Sequence, residues 1–258
     1  MSSIDSRGPR VRRESKVGTR LDKRMKGSKP KQSKSQSGLI REGIFGFNDG
    51  LVATIGLVSG EALSHQPHTA IVIAGLSAVG AAVVSMAVGS FLATSSENDF
   101  MRREIQEQAQ AIDRHPHRER HHVLRLLDEI GVPDEHNHEV AKSIIATRPR
   151  WLKFMVRENL GIHQNRAEAP LKNSLVMGSS VLIGSAPPIL PYLFSLPLVT
   201  ARDVSWSLSI IAALGLGMVK GVLTRTPLLK SALSFGVLVS LSALVGALIG
   251  MGLGALGA

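Results

Sequence analysis

The sequence predicts an all-α integral membrane protein with five transmembrane helices and a small cytoplasmic helical domain inserted between the second and third. Three observations predict this. Five stretches are apolar over the roughly 20 residues a bilayer crossing requires. A long polar stretch with good helix formers separates the second from the third. Lys and Arg concentrate in segments that five crossings place on one side, the pattern of cytoplasmic loops. The resulting division is a basic tail over 1–38, helices one and two over 39–96, the inserted domain over 97–170, and helices three to five over 171–258.

The tail comes first. Residues 1–41 carry thirteen Lys/Arg and three Asp/Glu, and the remaining chain carries seventeen of each sign. The whole excess of +10 therefore sits in a Ser-, Gly-, Lys- and Arg-rich segment that has too few apolar residues to bury a core. A basic tail just ahead of a span suits anionic lipid headgroups better than nucleic acid. No apolar signal-peptide core precedes Leu39.

The first span is expected over Leu39–Leu63 and the second over His68–Ser95, joined by the polar turn Ser64-His65-Gln66-Pro67. The third runs over Lys172–Phe194, the fourth over Val204–Leu223 and the fifth over Leu229–Gly257. Pro187, Pro188 and Pro191 forbid a regular helix at the close of the third, since each removes a donor and crowds the preceding turn. This stretch is either broken backbone at membrane depth or the membrane exit. Within the insert, Asp99–Arg114 predicts a helix stopped by Pro116, and Val123–Ile130 a second ended by Gly131-Val132-Pro133. Val140, Ile144 and Ile145 suggest a third, broken near Pro149. Trp151, Leu152, Met155 and Leu160 suggest a fourth, ended by Gly161. The tail, the insert and the loop with Lys220, Arg225 and Lys230 share one side, so the N-terminus is expected in the cytoplasm and the C-terminus across the membrane.

Composition narrows the function. The chain has no cysteine, which excludes disulfides and thiolate chemistry. It has no HExxH, no Gly-rich phosphate loop and no nucleophile–base set, so no enzyme is expected. One residue stands out. Asp49 lies inside the first span, and no Lys or Arg occurs between Arg41 and Arg102. An ionisable group in hydrocarbon is costly and marks a path for ions or protons. The other reading of such a group is an interhelical hydrogen bond.

The run Arg41-Glu42-Gly43-Ile44-Phe45-Gly46-Phe47-Asn48-Asp49-Gly50-Leu51-Val52 resembles the first span of the vacuolar iron transporter family. Ser85-Met86-Ala87-Val88-Gly89 resembles its Ser-Met-Ala-x-Gly signature, and Arg157-Glu158-Asn159-Leu160-Gly161 resembles the end of its cytoplasmic metal-binding domain. The resemblance covers about residues 39–257. It implies a dimeric, proton-coupled exporter of Fe(II), in some members of manganese, with no permanently bound cofactor. It implies a bacterial inner membrane or, in a eukaryote, a vacuolar membrane.

The metal ligands so implied are Asp49 and Met86 in the membrane, and Glu104, Glu107, Met155 and Glu158 in the insert. Carboxylate and thioether donors together suit a first-row divalent ion. Met86 could equally be a packing residue. Glu42 either stands at the cytoplasmic mouth or pairs with Arg41. Two departures bear on transport. The family signature continues into a Glu where this chain has Ser90, and Gln106, Gln108 and Gln110 interrupt an insert helix that is Glu-rich in relatives. These departures keep open a transport-altered metal sensor or structural protein of the same fold. The insert also holds seven His, among them His117 and His121 at chelating spacing, in what reads as a solvated loop entry.

Overall fold

A computed structural model describes residues 33–64, 66–158, 169–194 and 196–256. The basic tail up to residue 32, and the Asn159, Leu160, Gly161 and His163 positions, lie outside the described residues. Residues 1–37 and 38–258 are separate units, and the packing below belongs to the second. Among the described residues the elements are α1 (Ser33–Leu63), α2 (His68–Arg114), α3 (Pro116–Glu129), α4 (Asp134–Ile145), α5 (Arg148–Glu158), α6 (Pro170–Ile189), a 3₁₀ turn (Leu190–Leu193), α7 (Leu198–Thr224) and α8 (Leu228–Leu256). Five helical stretches are long and apolar enough to cross a membrane: Gly38–Leu63, α2, Pro170–Leu193, α7 and Leu228–Ala255. Their outward faces carry large apolar residues such as Ile73, Val84 and Leu92 on α2 and Val237, Leu241 and Leu248 on α8. A lipid-facing surface requires this, since water would leave such faces unsatisfied.

Helix α2 continues past the expected end of the second span. The sequence reading ended the second span at Ser95 and began a separate insert helix at Asp99. Instead one helix of 47 residues runs from His68 to Arg114, about 70 Å at 1.5 Å per residue. The reason is local: no Pro or Gly lies between Gly89 and Pro116, so nothing terminates the helix at the membrane exit. The insert is thus a direct extension of the second span.

The prolines of the third span also behave differently from expectation. Pro187 and Pro188 sit inside the last turn of α6, and Pro191 falls in the 3₁₀ turn that follows. The helix tightens rather than breaks. The Ser205 hydroxyl of α7 donates to the Pro188 carbonyl at 2.6 Å, satisfying an acceptor at this point.

Small residues hold the bundle together. A methyl group added at Gly184 would land on the Phe47 backbone, and one at Gly50 on the Val181 carbonyl, so α1 and α6 approach closely. Gly246 and Gly250 of α8 meet the backbone at Gly56 and Gly60 in the same way. Close approach replaces the hydrophobic drive that lipid cannot supply. Serine hydroxyls add bonds across the seams: Ser185 Oγ donates to the Gly50 carbonyl (3.2 Å) as well as its own helix's Val181 carbonyl (2.9 Å), and Ser242 Oγ donates to the Val52 carbonyl (2.7 Å). Leu51, Ile55, Val58, Ile71, Tyr192 and Val239 fill the space between.

The insert is a small water-type core. Ile112 from the end of α2 packs with Val123, Leu126 and Leu127 of α3, Ala141 of α4, and Trp151 and Met155 of α5. Pro116 and Pro149 do not merely end helices. Each occupies a first-turn position of the next one, where its missing N–H costs nothing. Gly131, with φ +83°, makes the turn between α3 and α4. A two-bond pair from Arg148 to Asp113, at 2.8 and 2.6 Å, ties α5 to the end of α2.

Candidate functional site

The bundle's chemistry gathers on α1. Glycines at 43, 46, 50, 56 and 60 leave little side-chain bulk on this helix. One turn faces α6 at Gly46 and Gly50, while Gly56 and Gly60 face α8. Along the α1–α8 seam runs a groove of about 540 Å³, lined from α1 by Asp49, Val52, Ala53, Gly56, Leu57, Gly60 and Glu61, and from α8 by Ser242, Gly246 and Gly250 among others. Among the described residues no Lys, Arg or His lines it. The Asp49 carboxylate is half-buried, and among the described residues no cation pairs with it. Beside it, the Asn48 Oδ1 is buried with no hydrogen-bond partner. A carboxylate in an apolar groove with no paired cation marks a place where a cation is drawn in.

A second acidic position lies two turns earlier. Glu42 is 8% exposed, its Oε1 accepting from Arg41 at 3.3 Å and its Oε2 from the Ser90 hydroxyl of α2 at 3.3 Å. Glu42 thus bonds both to the exposed Arg41 and to the buried Ser90 hydroxyl. Ser90 itself is 8% exposed. The position where the family signature carries a Glu therefore faces a carboxylate on α1. A second acid there would place like charges in contact, and serine instead donates to the one present.

Met86 is half-buried on α2 and does not line the α1–α8 groove. In the insert, Glu104 is half-buried, and the Glu107 carboxylate accepts from Arg103 at 2.8 Å. Glu158 pairs with Arg157 at 2.9 Å, and Met155 is wholly buried in the insert core. Among the described residues no three His, Asp or Glu side chains gather as a metal-holding group. His117 and His121 stand exposed on helix α3, not in a loop, because Pro116 opens that helix. A different polar contact is built into this domain: Gln108 Nε2 donates to Glu119 Oε2 at 2.9 Å, with His122 Nδ1 3.7 Å from the same oxygen.

Packing places two features of the groove that the sequence leaves undecided. Glu61 is visible as a second acid in the first span, but only packing puts it in the same groove as Asp49. Ser242 is one serine in a long apolar run and carries no sequence signal of its place.

The comparisons agree with the resemblance. The profile of the VIT family matches residues 40–251. The vacuolar iron transporter of Centaurea cyanus is 31% identical over 210 residues, covering 81% of this chain and 82% of the relative. Vacuolar iron transporter 2 of Oryza sativa subsp. japonica is 30% identical over 186 residues, covering 72% and 76%. Protein CCC1 of Saccharomyces cerevisiae is 24% identical over 185 residues, covering 70% and 57%. The first two carry the names of transporters rather than of enzymes. With five membrane-length helices, a buried acidic first span and a family match over most of its length, this integral membrane chain belongs to the VIT family.

Proposed function

We propose that this protein carries Fe(II), or a similar divalent ion such as Mn(II), out of the cytosol by exchange for protons, as a homodimer with its N-terminus in the cytoplasm. The observation that carries the reading is Asp49: a mid-span carboxylate in a groove that no Lys, Arg or His lines among the described residues. Such a group binds a cation or a proton, one at the expense of the other, and that competition is the elementary act of an antiporter. Hard oxygen donors such as the Asp49 carboxylate suit Fe(II) and Mn(II), and Met86 is a softer thioether elsewhere on the path, on α2 outside this groove. Binding must be weak enough to let the ion leave, and a site with few charged ligands meets that need.

Glu104, Glu107 and Glu158 of the insert act as a cytosolic collecting surface, with Met155 packed in the core beneath it. Glu107 exchanges its exposed arginine partner for an arriving cation at small cost, and the half-buried Glu158 does so with Arg157. Anionic lipids hold the basic tail.

The test is Fe(II) uptake into proteoliposomes under reducing conditions with an imposed pH gradient, compared with Mn(II), Co(II) and Zn(II). Asp49→Asn keeps size and hydrogen bonding but removes the charge. It is expected to fold and to lose transport. Full transport by the folded variant would remove Asp49 from the path.

A further inference from the structure

Resting on the reading of Asp49 as an ion-path carboxylate, we propose that Glu61 is a second, separate station for the divalent cation in the same groove, on the side where the ion is released. Asp49 and Glu61 both line the α1–α8 groove, and among the described residues no basic side chain lines it with them. Twelve residues of helix separate them, about 18 Å along the axis. One ion cannot touch both carboxylates, so they act in succession. Between them Gly56, Gly60 and Gly246 bring the two backbones into contact, and the groove runs beside that contact, past Leu57, Val245 and Ile249. Ser242 Oγ spends its proton on the Val52 carbonyl and leaves its lone pairs for a passing cation.

Glu61 is suited to release. It sits two residues before the end of α1 at Leu63, whereas Asp49 lies deep within the span. The Glu61 carboxylate is half-buried, and among the described residues no Lys, Arg or His pairs with it. At the end of the span it meets protons from the far side directly. Protonating it frees the cation it holds, and its recovered charge draws the next one along the groove. Two weak sites in series move an ion faster than one tight site.

Full-length protein in proteoliposomes tests this with Fe(II) kept reduced. Glu61→Gln is expected to lower the maximal rate about tenfold, with little change in the cytosolic Fe(II) concentration giving half-maximal rate. It is also expected to flatten the dependence of rate on far-side pH. Glu61→Asp retains the charge and is expected to restore most of both. Wild-type rates and pH dependence in a folded Glu61→Gln protein would overturn the proposal. Equal losses in the Gln and Asp variants, with a poorer yield of folded protein, would overturn it too, since they would mark a structural role. If Asp49→Asn transports normally, the parent reading fails whatever Glu61 does, so the two failures are distinct.

Discussion

Helix α2 passes through both regions of the molecule, and its two halves are held in different ways. Below Ser95 it packs on α6 through small groups: Gly178 against Ala87 and Val83, and Asn173 Nδ2 donating to Thr94 Oγ1 at 3.2 Å. Beyond that point it contributes Ile112 to a core of Val, Leu, Trp and Met, with charged residues on its outer face. The same helix obeys two solvents. In lipid, apolar side chains gain nothing by clustering, so backbones come together and hydroxyls bond across the seam. In water, large apolar groups turn inward and polar ones outward. The consequence for function is that the bundle can leave an open acidic groove, while the insert fills its interior.

The comparison is broken most readily at a glycine. Gly184→Leu places a side chain where the Phe47 backbone already lies, and the largest effect is expected there: no monodisperse protein in detergent. Gly89→Leu on α2 meets nothing within 4 Å and is expected to give normal yield by size-exclusion chromatography. Equal behaviour of the two would mean that close approach does not hold the bundle. In the insert the vulnerable residue is large, not small. Leu127 is 2% exposed, and Leu127→Ala is expected to cost about 2–5 kcal/mol of insert stability. Hydrogen exchange should register it as faster exchange in α3 to α5, with the spans unaltered. A loop gives the smallest effect. Arg225 adopts φ 55° at the end of α7, a left-handed cap where glycine is free of strain. Arg225→Gly is expected to stabilise by up to about 1 kcal/mol, read as a slightly higher melting temperature.

Much of the site was legible and part of it was not, for reasons that individual residues make plain. Asp49 is legible because an acid in an apolar run has no ordinary explanation. Glu42 is visible, yet its Ser90 partner lies 48 positions away, and sequence spacing says nothing of such a contact. Met155 matches a family ligand position, and the fold buries it among Ile112, Val123 and Leu127, an environment set by three other helices. Glu107 lies four residues from Arg103, a helical spacing that could have disclosed their pairing, whereas Arg157 and Glu158 are adjacent, a spacing that does not ordinarily bring helical side chains together.

The sequence alone determined the five spans, the polar insert, the absence of thiol chemistry and the acid at position 49, because hydropathy and charge act residue by residue along the chain. Tertiary structure decided which glycines touch, where the groove opens and which carboxylates share it. Those depend on the rotation and spacing of whole helices, which are set by the sum of many weak contacts. Asp49 and Glu61 are two acids on one helix in the sequence; the arrival of α8 beside them makes them two ends of one groove.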